Sequence, residues 1–157
     1  MDTNTNLKLA LTWLVELLND SQVPYQIVGG TAASIHGGER PVEDIDLYIH
    51  RDDYQKIAGV ITPYLSKPMR HSLEAGWDVE YCQLIYSEQK IEIGLAPGTR
   101  IFHRQTRQWL PLEIDFGSSE QRNYLGVEVS VMPVAALVEY KAALDRPMDR
   151  IDIEEIS

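Results

Sequence analysis

The chain has 157 residues, 44% hydrophobic and 24% charged, the proportions of a globular protein long enough to bury a core in a single domain, residues 1–157. Its 24 acidic residues against 14 basic ones give a net charge of −10, which argues against a broad, non-specific grip on a nucleic-acid backbone. One cysteine, Cys82, excludes an internal disulfide, and no Cys/His cluster stands at zinc spacing.

The apolar run Leu9–Leu18 is interrupted by Glu16, lacks a basic leader and a small-residue cleavage site, and is too short to span a bilayer. A cytoplasmic protein with no membrane contact is therefore expected. Leu7, Leu11, Leu14, Val15 and Leu18 recur at helical spacing, which predicts a helix over Leu7–Asn19 capped by Asn6. After Pro24, Tyr25–Val28 reads as a short buried strand ending at the pair Gly29-Gly30. A short helix, Thr31–His36, ends at Gly37, and a loop leads to a second strand, Asp44–Ile49. Asp52 or Asp53 caps a helix to about Leu65. Asp78–Tyr86 and Lys90–Leu95 form a hairpin across Ser87-Glu88-Gln89. Arg100–Phe102, Trp109–Phe116 and Val127–Val131 read as further strands, followed by a helix from Pro133 to about Leu144 and a last one over Asp149–Ile156. The pattern is that of an α+β fold, a mixed sheet flanked by helices.

Chemistry concentrates between Ile27 and Ile49. Alternation along a strand places Asp44, Asp46 and Tyr48 on one face and Ile45, Leu47 and Ile49 on the other. Two carboxylates sharing a strand face repel one another unless a cation lies between them, so they are a candidate divalent-metal site. Gly29-Gly30 ahead of a helix is a candidate phosphate cradle. Either feature alone is common for backbone or solvation reasons; the conjunction of strand, Gly-Gly, small-residue helix, Gly, Arg and Asp-x-Asp is far more specific.

That conjunction, carried by Gly29, Gly30, Ala32, Gly37, Arg40, Asp44 and Asp46, resembles the nucleotidyltransferase-fold superfamily, which includes DNA polymerase β and lincosamide-type antibiotic nucleotidyltransferases. The resemblance implies Mg²⁺-dependent transfer of a nucleotidyl group from a nucleoside triphosphate to a hydroxyl acceptor, with two Mg²⁺ ions. It also implies a third carboxylate on a later strand. Glu92, on the polar face of Lys90–Leu95, is the first choice for that position, although the family residue is normally Asp. Asp115 is its main rival, with Asp78 and Glu80 behind, and Gly94 would keep the space beside Glu92 open. Gly29, Gly30 and Thr31 would present backbone N–H groups, and Thr31 its hydroxyl as well, to the β- and γ-phosphates, and Arg40 would neutralise phosphate charge. Val42 stands where many relatives carry a hydroxyl residue.

The stretch Leu137–Lys141 with Arg146, Asp149 and Asp152 resembles the tail of small bacterial nucleotidyltransferases, including toxins of toxin–antitoxin pairs. This implies a triphosphate contact for Lys141; a snorkelling lysine on an amphipathic helix is the equal alternative. Asp149 and Asp152 read as structural. An acceptor of unknown identity and a protein partner are implied as well. Two competing functions remain on this evidence: a catalytically weak module that binds nucleotide or a partner, and an antitoxin-like subunit that uses no nucleotide. His36, His50, His71, His103, Cys82 and Trp13 invite packing or capping roles, and Trp109 invites packing, with a base-stacking platform as its alternative.

Overall fold

A computed structural model describes residues 3–157. Its five α-helices and nine-stranded mixed sheet give the α+β architecture expected from the sequence. Helix α1 (Thr3–Asp20) starts earlier than Asn6 and buries Leu7, Leu11, Leu14 and Leu18 on one stripe. Strand β1 (Tyr25–Val28) leads directly into α2 (Gly29–Ile35), so both glycines belong to the helix's first turn. Strand β2 (Asp44–His50) follows, then α3 (Tyr54–Ile61), which is shorter than expected because the chain passes through Thr62-Pro63-Tyr64 into strand β3 (Leu65–Glu74). Strands β4 (Trp77–Tyr86) and β5 (Gln89–Ala96) form the expected hairpin, with Ser87 and Glu88 both at positive φ in a two-residue turn.

Strand β6 (Arg100–His103) pairs with β7 (Gln108–Pro111), which is only the first part of the expected strand Trp109–Phe116. Beyond Pro111 the chain leaves the ladder and makes a 3-10 turn over Phe116–Ser118. Strands β8 (Glu120–Tyr124) and β9 (Val127–Val131) precede helices α4 (Val134–Leu144) and α5 (Pro147–Ile156).

The strands run in the order β7-β6-β4-β5-β2-β1-β9-β8, with β3 paired to β4 beside this path. At the centre, β2 lies antiparallel to β1 and parallel to β5, while β1 is parallel to β9. Ile45, Leu47, Ile49, Ile91, Ile93, Cys82 and Leu84 form the buried face of these central strands. Helix α1 packs there against β5 and β9. Helices α2, α4 and α5 pack on one another, and α2 lies against β1 and β2. Among the described residues, no helix is long and apolar enough to cross a membrane.

Candidate active site

The register of three neighbouring strands builds the site. Asp46 of β2 stands opposite Glu92 of β5 in the parallel pair, and Glu92 stands opposite Gln83 of β4 in the antiparallel pair. All three side chains therefore reach the same face, with Asp44 one step along β2 from Asp46. Asp44, Asp46 and Glu92 each offer an oxygen within 4.8 Å of the others, and they are the only such group of acidic or metal-ligating residues among the described residues. Gln83 Nε2 donates to Glu92 Oε1 at 3.2 Å and fixes the longer side chain.

Electrostatics set Asp44 and Asp46 apart from ordinary surface acids. Burial pushes the Asp46 carboxyl well above its usual range, and the charges of Glu92 and Asp44 and a hydrogen bond with Glu92 add to the shift; the Lys141 ammonium opposes it. Asp44 is raised too, first by burial and then by Glu43, with Lys90 and Lys67 lowering it. An all-oxygen donor set in which Asp44 and Asp46 ionise unfavourably fits a hard divalent cation such as Mg²⁺ or Mn²⁺.

Beside this cluster, Gly29 has φ +67°, and a Cβ there would come 2.7 Å from Asp46 Oδ2. Both the left-handed backbone and the close approach require glycine. A Cβ at Gly30 would come 3.2 Å from Arg40 Nη2. Thr31 is placed differently from the role implied for its hydroxyl. It is fully buried, and its Oγ1 donates to the Asp44 carbonyl at 2.7 Å, tying the start of α2 to the start of β2.

Arg40 and Lys141 converge on a single carboxylate. Arg40 donates to Asp152 through Nε at 3.0 Å and Nη2 at 2.8 Å. Lys141, only 1% exposed, donates to Asp152 Oδ2 at 2.9 Å and lies 3.4 Å from Asp149 Oδ1. Lys141 is thus neither a snorkelling surface lysine nor a free cation. Arg146, at the head of α5, pairs with Asp149 at 2.7 Å in a reciprocal cap. Burial alone would raise the Asp152 carboxyl, but hydrogen bonds and charge from Arg40 and Lys141 bring it below its usual range.

The space next to Glu92 is also occupied otherwise than expected. A Cβ at Gly94 would come 2.5 Å from Tyr48 Cε1, so the glycine admits the Tyr48 ring rather than a metal or phosphate. Asp115 lies elsewhere, capping the turn before Gly117 and accepting from Gln26 through its carbonyl. Asp78 holds His71 and Arg100, and Glu80 holds Arg51.

A cavity of about 410 Å³ opens over the cluster. Gly29, Gly30, Arg40, Asp44, Asp46 and Glu92 line it together with Tyr48, Trp77, Tyr140, Lys141, Arg146 and Met148. Sequence reasoning gave no site role to Gln83, Trp77 or Tyr140. A signal for Gln83 existed: with a two-residue turn at Ser87-Glu88, counting back along the hairpin places it opposite Glu92.

No protein-family profile matches the chain, and no curated protein sequence matches it. Similarity appears at the level of structure. A candidate nucleotidyltransferase from Thermotoga maritima superposes with a TM-score of 0.74 at 18% identity, covering 98% of this chain and 93% of that one. The lincosamide antibiotic adenylyltransferase LnuA, solved with lincomycin, gives 0.61 at 15% identity over 93% of each chain. ANT(2")-Ia, solved with adenylyl-2"-tobramycin, gives 0.60 at 13% identity, covering 94% of this chain and 85% of its own. With the strand-borne carboxylates and the glycine turn in these positions, the chain has the nucleotidyltransferase fold.

Proposed function

We propose that this protein transfers a nucleotidyl group from a nucleoside triphosphate to a hydroxyl acceptor. The observation that carries the proposal is the meeting of Asp44, Asp46 and Glu92 directly beside Gly29, in a fold shared with adenylyltransferases. In the reaction, the acceptor oxygen bonds to the α-phosphorus while the bond from that phosphorus to the α–β bridging oxygen breaks, and pyrophosphate leaves. Asp44, Asp46 and Glu92 would hold Mg²⁺, with two ions as the fuller form of the proposal. Bound there, the metal would supply positive charge to the triphosphate and to the attacking oxygen.

The chain's own groups do the rest. The bare backbone at Gly29-Gly30 admits phosphate oxygens beside Asp46. Glu92, steadied by Gln83, is placed to take the proton from the acceptor hydroxyl. Arg40 and Lys141, held by Asp152, contribute positive potential from fixed positions; the Lys141 charge already acts on Asp46. A small-molecule hydroxyl is the acceptor class we favour, because the antibiotic adenylyltransferases are matched over nearly this whole chain. A protein or RNA-end acceptor, as in a toxin–antitoxin pair, is the alternative, with a cytoplasmic setting in either case.

A second reading has its own observation. Both cations expected at the triphosphate are already engaged in ion pairs with Asp152, which suits a protein that binds nucleotide or a partner without efficient transfer. Incubation with α-labelled and γ-labelled nucleoside triphosphates, Mg²⁺ and a panel of hydroxyl acceptors separates the two. Transfer places the α-label on the acceptor and the γ-label in pyrophosphate. Binding with neither product supports the second reading.

A further inference from the structure

Tyr140 sits on α4 next to Lys141, only 4% exposed, and lines the cavity over the carboxylates. Its ring meets Trp77 nearly edge-on, with centroids 6.1 Å apart and planes at 70°. Two facts locate its hydroxyl. It makes no hydrogen bond to any described residue, yet no fully buried polar side-chain atom among the described residues lacks a partner. The oxygen must therefore open into the cavity. Tyr140 shares the lining of that space with Asp46, Tyr48 and Arg146.

The Tyr140 side chain is buried but its hydroxyl opens into the cavity without a protein partner, which leaves its donor free for whatever occupies that space. The surrounding chemistry indicates what it is kept for. Arg40 and Lys141 are committed to Asp152, and Arg146 has Nε and Nη2 committed to Asp149. A triphosphate arriving beside three carboxylates thus finds its nearest cations already paired, whereas the Tyr140 O–H is an unspent neutral donor. Burial, then the Asp46 charge, pushes the phenol's pKa up, so the proton stays on the oxygen.

We propose that Tyr140 is a substrate-contacting residue whose hydroxyl donates a hydrogen bond to a phosphate oxygen of the nucleotide seated against Asp46. The proposal rests on the nucleotidyl-transfer reading above, and it replaces the direct triphosphate contact that the sequence implied for Lys141. The chemistry balances without a covalent step: one hydrogen bond forms and no proton is transferred.

The test is calorimetric titration of the full chain with an α,β-methylene nucleoside triphosphate in Mg²⁺. That analogue binds but cannot release pyrophosphate. Wild type, Tyr140→Phe and Tyr86→Phe are compared, and a thermal melt of each shows whether it is folded. Tyr86, stacked on Trp13 at 4.3 Å, supplies the same chemical change outside the site. Tyr140→Phe is expected to bind the analogue about tenfold or more weakly at an unchanged melting temperature, with Tyr86→Phe equal to wild type. Equal affinity for wild type and Tyr140→Phe, with labelled transfer intact in both, overturns the contact and leaves the proposed activity standing. A wild-type protein that neither binds the analogue nor transfers label overturns both.

Discussion

Burial and two neighbouring carboxylates disfavour the charged form of Asp46, and that gives the site a thermodynamic signature. A carboxyl whose folded pKa lies above its unfolded value favours the folded state in its protonated form. Stability should then fall as pH rises from the ordinary carboxylate range through the raised pKa of Asp46. Asp46→Asn removes this dependence while keeping the shape. In chelator, the variant should melt at or above wild type near neutral pH, with a flatter profile above the ordinary carboxylate range, and it should be inactive in transfer. A lower melting temperature at neutral pH would make Asp46 a structural residue instead. A second residue-scale expectation concerns Gly94. A methyl group there meets the Tyr48 ring at 2.5 Å, so Gly94→Ala should destabilise by about 1–3 kcal/mol in denaturant melts. The sequence showed that position 94 is glycine on the carboxylate face, but the packing partner two residues past Asp46 came only with the β2–β5 register.

At the scale of elements, the C-terminal helix is fastened to the site by charge. Asp149 and Asp152 of α5 meet Lys141 of α4 at 8 and 11 residues' separation, and Asp152 also holds Arg40 from the α2–β2 connection. Removing one partner of so buried a cluster leaves an uncompensated charge, so Asp152→Ala should cost about 3–5 kcal/mol in equilibrium unfolding. The sign with pH is opposite to that of Asp46. Because the folded Asp152 carboxyl is lowered, its contribution is present above the unfolded carboxylate pKa and is lost as pH falls through the folded one. Lys141 also shows where sequence reading ends. Helical periodicity places a lysine on a face; it does not reveal that a second helix folds back and delivers two carboxylates to it. Thr31 is a similar case, since its hydroxyl is spent on the Asp44 carbonyl across a turn whose closure no local pattern specifies.

Across the whole molecule, the legible strands were those rich in buried apolar residues. Tyr25–Val28, Asp44–His50 and Gln89–Ala96 carry apolar residues at the spacing the sheet needs, and the motif residues lie on or directly after them. Strand β3 escaped because it is an exposed, polar strand containing Pro68, with register irregularities against β4 and no alternation. Strand β8, Glu-Gln-Arg-Asn-Tyr, escaped for the same reason, its one pairing partner being β9. Both lie away from the β2–β5 pair, so the carboxylate cluster could be anticipated from a partial sheet. The proposed chemistry requires Glu92, and not Asp115, as the third carboxylate of that cluster. The deciding measurement is labelled-nucleotide transfer by Glu92→Gln and Asp115→Asn, assayed side by side with thermal melts of each. Glu92→Gln should eliminate transfer while Asp115→Asn stays near wild type. An active Glu92→Gln beside an inactive, folded Asp115→Asn would contradict the site described here.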